Sequence, residues 1–401
     1  MKNMVYIQSG GPTSVINSSL YGAFKEAIRH PEAIDHIYGS INGIEGLIED
    51  KLFDLREEDP RDIELLIQTP GAALGTTRRK LPKDINDPVY MQIVKTMQKR
   101  SIKYVFVNGG NDSMDTCDKI HKLCQELNLD IRVIGVPKTI DNDLACTDHT
   151  LGFASAAKAV INEIYALSKD ALCYKQGKIH IVEVMGRNAG WLTAASDLVP
   201  EDGHPDLIYL PENPFNIDEF LADVKEVQDR KGYGIVVVSE GVKFEDPSGK
   251  KAAVDSFGHA QLGGASAKLA AIVEEKLGIK TRVVELSLTQ RANPALMSRT
   301  DRDEAIEVGQ LAIRAAISGE TGKMIVMKRV SNKPYIGRFE LVPLSMVANA
   351  EQKVPQEYMV DKTRMSDSFR DYLRPLIRGA IHLDYNNGIV ELTNFKKVPI
   401  K

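Results

Sequence analysis

Short apolar runs alternate with longer amphipathic stretches along most of the chain. Val5–Gln8 is followed by a helical pattern over Val15–Arg29, Tyr104–Val107 by one over Met114–Leu127, and Val133–Val136 by one over Ala154–Leu167. Ile179–Val184, Leu207–Tyr209, Gly234–Ser239 and Thr281–Leu286 are further candidate strands. Runs this apolar suit parallel strands covered by helices on both faces. Their alternation with helices predicts an α/β fold of doubly wound, mostly parallel sheets, repeated in two domains.

In such sheets ligands gather beyond the carboxyl ends of the strands. Five candidate strands are followed there by glycine and polar or charged residues: Ser9-Gly10-Gly11-Pro12-Thr13-Ser14, Asn108-Gly109-Gly110-Asn111-Asp112-Ser113, Pro137–Asp143, Met185-Gly186-Arg187-Asn188-Ala189-Gly190 and Ser239-Glu240-Gly241. One active-site cleft assembled from many loops is the expected arrangement.

Composition narrows the classes. Charged residues are 26% and hydrophobic residues 43% of 401, the balance of an ordinary soluble globular protein. The net charge of −4 offers no broad basic field to nucleic acid, so an anion site must be built locally. No apolar run is long enough to span a membrane. Met1–Ile7 is too short for a signal segment, so the cytoplasm is the expected compartment. Cys117, Cys124, Cys146 and Cys173 form no Cys-x-x-Cys pair, and His180, His204 and His259 lack metal-ligand spacing.

Gly10-Gly11 and Gly109-Gly110 let the backbone approach a ligand and aim N–H groups at it where a helix starts, as a phosphate cradle does. As tight turns alone they would look the same. Neither is a dinucleotide fingerprint, and Gly319–Met324 lacks the spacing of a P-loop. The set Lys138, Thr139, Asp141 and Asp143 is the densest in chemistry. An acceptor hydroxyl needs a carboxylate to take its proton, and a transferring phosphoryl group needs cations and hydrogen-bond donors. On an extended segment Asp141 and Asp143 would point the same way, with Asn142 opposite; the alternative is a ligand-free turn. Asn111, Asp112 and Ser113 offer oxygens to Mg²⁺, while Asp112 or Ser113 would equally serve as a helix cap. Arg78, Arg79 and Lys80 suit a phosphate or a solvated face. Arg187, Glu240, Lys178, Arg282 and Arg291 lie near strand ends and suit a sugar phosphate, or are surface charges.

Gly10-Gly11, Leu74-Gly75-x-x-Arg78, Gly109-Gly110-x-x-Ser113, Pro137–Asp143, Met185-Gly186-Arg187, Ser239-Glu240-Gly241 and Gln290-Arg291 occur in the order seen in 6-phosphofructokinases, and the chain resembles that family over about residues 4–320. The resemblance implies Asp141 as general base on the 1-hydroxyl of fructose 6-phosphate, with Thr139 and Asp143 in the same loop. It implies Met185, Gly186 and Glu240 on the sugar, and Arg187 near both the sugar phosphate and the transferring phosphoryl group. Gly10, Gly11, Arg78, Gly110, Asp112 and Ser113 fall on the donor side, Mg²⁺ at Asp112 and Asn111. Arg291 matches a ligand of the sugar phosphate. Lys178 and Arg282 match cations supplied by a neighbouring subunit, so a homo-oligomer, dimer or tetramer, is expected. The implied domains are residues 1–152 with 290–343 for the donor, and 153–289 with 344–401 for the sugar phosphate, facing each other across the cleft.

ATP-dependent members of that family usually have glycine where Asp112 and Lys138 stand. A carboxylate at the first position obstructs and repels an α-phosphate, and the lysine brings a cation to the remaining two phosphates. The pair resembles the pyrophosphate-dependent branch. Asn111 replaces a customary Asp, Leu288 a customary His or Tyr, and Ala292-Asn293 a customary Gly-Gly. Alternatives are an ATP-dependent enzyme, one acting on another sugar phosphate such as sedoheptulose 7-phosphate, or a non-catalytic sugar-phosphate-binding regulator.

Overall fold

Every residue of Asn3–Gln8 is buried, as a strand sheathed on both faces requires. In the computed structural model, which describes all residues except 1, 175–176, 245–263, 349 and 362–363, this segment starts the first of two sheets. His259 lies outside the described residues. The main strands in chain order are β1 (Asn3–Gln8), β2 (Ile37–Ser40), β3 (Leu52–Asp54), β4 (Ile102–Gly109), β5 (Arg132–Pro137), β6 (Ile179–Val184), β7 (Leu207–Tyr209), β8 (Gly234–Ser239), β9 (Thr281–Glu285), β10 (Lys323–Asn332) and β11 (Tyr335–Pro343). The chain separates into two compact units, residues 1–152 with 291–351 and 379–401, and residues 153–290 with 352–378.

The first unit carries the sheet β11-β10-β5-β4-β1-β2-β3, parallel except at its edge pairs β10–β11 and β2–β3. From β1 the chain moves to β2 on one side, then returns to β4 and β5 on the other. The order therefore reverses between β1 and β4, which opens a crevice at their carboxyl ends. The loops Ser9–Ser14 and Gly110–Ser113 leave the sheet there. Helices Ile16–Ala27 and Arg299–Ile317 cross at very close range: a Cβ on Gly22 would lie 2.0 Å from the Ile306 carbonyl oxygen, and one on Gly309 2.1 Å from that of Ser19. Only glycine at both places permits this approach.

The second unit carries the all-parallel sheet β7-β8-β6-β9. Central β6 and β8 are buried throughout. Edge strand β9 departs from the expected covered strand: Val283 is 38% exposed, because only β6 pairs with it. Trp191 is buried between Phe153, Tyr358 and Tyr372, which fixes residues 352–378 on this unit. Arg370 seals the attachment through Asp197 at 2.7 Å.

The tail does not follow the implied division, which put all of 344–401 with the second unit. Residues 344–351 and 379–401 pack on the first. The Glu58 carboxylate accepts from the Lys396 and Lys397 amides at 2.8 and 2.7 Å, and Gln68 brackets Asp384 and Glu391. Phe395 packs on Phe53, and the Ile400 amide donates to the Leu52 carbonyl. Backbone donors and an aromatic ring thus find partners on the first unit. Among the described residues no helix is long and apolar enough to cross a membrane.

Candidate active site

In the first unit three cations converge on Gly10-Gly11. Lys138 follows β5 directly, is 2% exposed, and its Nζ donates to the Gly11 carbonyl oxygen at 2.6 Å. A Cβ on Gly11 would lie 2.5 Å from Arg291 Nη1 and 3.7 Å from Arg78 Nη2, so both guanidinium groups stand close against this glycine. Gly10, at φ +79°, faces Lys138 Nζ and Ser113 Oγ. Burial pushes the Lys138 ammonium down to about 7, and the neighbouring charge of Arg291 pushes the same way. The charges of Asp141 and Asp143 oppose that fall without cancelling it, so an incoming polyanion would favour the charged lysine further. Arg79 Nη1 pairs with Glu45 at 2.6 Å, and Lys80 Nζ pairs with Asp112, in the loop after β4, at 3.0 Å.

The loop after β4 starts the helix Asn111–Glu126, whose N-cap is Gly110 without any side-chain cap. Neither Asp112 nor Ser113 therefore caps it. Asp112 stands in the first turn, where its carboxylate pairs with Lys80.

The stretch 139–143 is a turn, not the extended segment expected. Asn142 sits at φ +55°, a conformation Asn tolerates better than most residues. Its Oδ1 accepts from the Thr150 amide at 2.9 Å, and the Asp141 amide donates to Thr139 Oγ1 at 3.1 Å. The alternate-residue argument for aligning Asp141 and Asp143 thus fails, yet the two remain electrostatic neighbours. Burial, then the charges of Asp141 and Glu351, hold the Asp143 carboxyl well above the usual range. Asn111 Nδ2 donates to Asp143 Oδ2 at 3.3 Å, while Asn111 Oδ1 and Asp143 Oδ1 are buried and accept no hydrogen bond. Two buried hard oxygens without hydrogen-bond partners, on residues joined by a hydrogen bond, fit the ligand chemistry of a small divalent cation. Among the described residues there is no cluster of three or more His, Cys, Asp or Glu for a metal.

In the second unit a smaller set gathers at the carboxyl ends of β6 and β8. The Gly186 amide donates to Glu240 Oε1 at 3.1 Å, and Ser239 Oγ donates to the Gly186 carbonyl at 2.6 Å. A Cβ on Gly241 would lie 1.6 Å from the Arg187 carbonyl oxygen, so the two loops touch backbone to backbone. Gln290, buried and unmarked by its spacing, accepts from the Met185 amide at 3.3 Å. Lys178 and Arg282 do not join this group. Lys178 precedes β6, and Arg282 pairs in register with His180 near the amino end, most of a strand length away. Leu288 is 58% exposed.

The phosphofructokinase family profile matches residues 3–316. A pyrophosphate–fructose 6-phosphate 1-phosphotransferase of Halomonas elongata is 37% identical over 98% of this chain and 96% of its own. One of Xanthomonas campestris pv. campestris is 38% identical over 99% and 97%. The crystal structure of a pyrophosphate-dependent phosphofructokinase from Nitrosospira multiformis superposes with a TM-score of 0.91 at 36% identity, covering 100% of this chain and 98% of that one. The chain belongs to the phosphofructokinase family, in the branch whose named members are pyrophosphate-dependent.

Proposed function

We propose that the protein catalyses reversible, Mg²⁺-dependent transfer of a phosphoryl group from pyrophosphate to the 1-hydroxyl of fructose 6-phosphate, giving fructose 1,6-bisphosphate and phosphate. The observation that carries this reading is the buried Lys138 ammonium against Gly11, with Arg78 and Arg291 beside it. Lys138 and Arg78 match a short, highly charged donor, while Arg291, reaching the same glycine, is left for the sugar phosphate. Asp112 adds exclusion, since a nucleotide would bring an α-phosphate toward a fixed carboxylate.

In the forward direction Asp141 takes the proton of the 1-hydroxyl as that oxygen bonds to phosphorus. The bond to the bridging oxygen breaks, and phosphate leaves. Lys138 and Arg78 hold the leaving group, whose charge grows as that bond lengthens, and Arg187 faces the transferring group. Thr139 accepts from the Asp141 amide and so sets the direction of the base. Asn111 and Asp143 would hold Mg²⁺, with Asp112 close by; the ion would neutralise phosphate charge. Met185, Gly186 and Glu240 receive the sugar hydroxyls, and Arg291 the 6-phosphate. The position of Lys178 and Arg282 at the opposite strand ends supports their serving a neighbouring copy, which makes the enzyme a homo-oligomer.

The reverse reaction tests the donor side. Fructose 1,6-bisphosphate and orthophosphate should yield pyrophosphate in the presence of Mg²⁺, whereas an enzyme confined to nucleotides would form none.

A further inference from the structure

Behind the catalytic turn runs the segment Thr147–Gly152, which holds the turn through three hydrogen bonds. The Thr139 amide donates to the Leu151 carbonyl at 3.1 Å, Thr150 Oγ1 to the Thr139 carbonyl at 2.8 Å, and the Thr150 amide to Asn142 Oδ1 at 2.9 Å. Helix Arg299–Ile317 grips the same segment at two points one turn apart. Asp301 Oδ1 accepts from the Gly152 amide at 2.9 Å, and Glu304 Oε2 lies 2.7 Å from His149 Nε2.

His149 is fully buried, and its Nδ1 lies 2.8 Å from Asp148 Oδ2. Both ring nitrogens therefore face carboxylate oxygens, and only the imidazolium can donate to both. Arg329 binds the other side of Asp148 through Nε and Nη2, at 3.0 and 2.8 Å. Tyr335 donates to Glu304 Oε1 at 2.6 Å and lies under the Arg329 guanidinium. Two anions, Asp148 and Glu304, and two cations, His149 and Arg329, balance one another in this largely buried cluster. Arg329 and Tyr335 come from β10 and β11, beyond the residues matched by the family profile.

We propose that His149 is a positioning residue for phosphoryl transfer: clamped between Asp148 and Glu304, it fixes the register of Thr150–Gly152 and thereby the left-handed turn that aims Asp141 and Asp143. The proposal rests on Asp141 being the base, as stated above. A cluster that served stability alone would have no reason to favour one aim of the turn. One that positions must show in turnover.

The test compares His149→Gln, Glu304→Gln and the double variant with wild type, using whichever donor wild type turns over, so that a wrong donor assignment shows separately in the wild-type panel. In His149→Gln, Glu304 loses its cationic partner; kcat should fall about tenfold to a hundredfold with both KM values held within about threefold. Adding Glu304→Gln removes the stranded charge and should recover most of kcat. Tyr335→Phe, which deletes one hydroxyl and keeps the fold, should lower kcat about threefold at unchanged KM. The proposal is overturned if folded His149→Gln, or Tyr335→Phe where the former does not fold, keeps wild-type kcat while only the melting temperature drops. It is equally overturned if both KM values rise along with the loss, or if the double variant recovers nothing.

Discussion

Lys138 Nζ donates to the Gly11 carbonyl oxygen at 2.6 Å, so the buried cation after β5 is fastened to the glycine pair after β1. The two residues lie 127 positions apart and meet because β1 and β5 deliver their following loops to the same edge of one sheet. Desolvation, together with Arg291, brings the free lysine down to about 7. A bound anion favours the charged form and pulls it back up.

Pyrophosphate binding should therefore take up a proton above pH 7. Below that pH Lys138 is already charged and contributes no uptake; at pH 8 most of it must gain a proton on binding. Calorimetry in buffers of different ionisation enthalpy should record close to one extra proton at pH 8 and little at pH 6. Lys138→Met should lose that difference. Equal uptake at both pH values would place the charge change elsewhere.

In the proposed function Asp112 is the second determinant of the donor. Replacing it with glycine removes the carboxylate that Lys80 holds in the first helical turn. Asp112→Gly should raise kcat/KM for ATP relative to pyrophosphate at least tenfold, about 1.4 kcal/mol in transition-state preference. An unchanged ratio would mean that Asp112 does not guard the α-phosphate position.

Asp141→Ser should lower kcat by roughly 10²–10⁴, the usual worth of general base catalysis. Binding of fructose 6-phosphate, followed by equilibrium titration, should change little, because Met185, Gly186 and Glu240 stand on separate loops. Loss of binding and of cooperative unfolding together would make this turn a structural element only.

The His149 cluster predicts a pH signature in stability. Burial works against the imidazolium, but the charge of Glu304 and the hydrogen bonds to Asp148 and Glu304 outweigh it and hold the group at about 10. A pKa raised above its unfolded value of about 6.5 contributes stability that is complete below pH 6.5 and is lost as pH rises through 10. Urea unfolding of wild type and His149→Gln should differ most at pH 6 and progressively less toward pH 10. A gap that widens with pH would mean the ring is neutral in the folded protein.

Much of this was legible in the sequence, for identifiable reasons. β1, β4, β5, β6 and β8 are sheathed on both faces, so their apolar runs stand out, and the loops that follow them are where the chemistry lies. The turn at Asn142 was misread as extended because its geometry depends on Thr150, a partner no local pattern reveals. The return of residues 379–401 to the first unit rests on Glu58 and Gln68, more than 300 positions earlier, and on amide donors that every sequence has. His149 carries no mark in its spacing, since Glu304 lies 155 positions away and Arg329 and Tyr335, which hold its two carboxylate partners, come from β10 and β11. The resemblance put Arg78 and Lys138 with the donor and Arg291 with the sugar phosphate; that all three meet at Gly11 is visible only in the structure.

The central claim is the donor. Purified protein assayed with fructose 6-phosphate and Mg²⁺ should give a kcat/KM for pyrophosphate at least a hundredfold above that for ATP, about 2.7 kcal/mol in favour of the shorter anion. Turnover with ATP alone, and none with pyrophosphate, would contradict the account at its core.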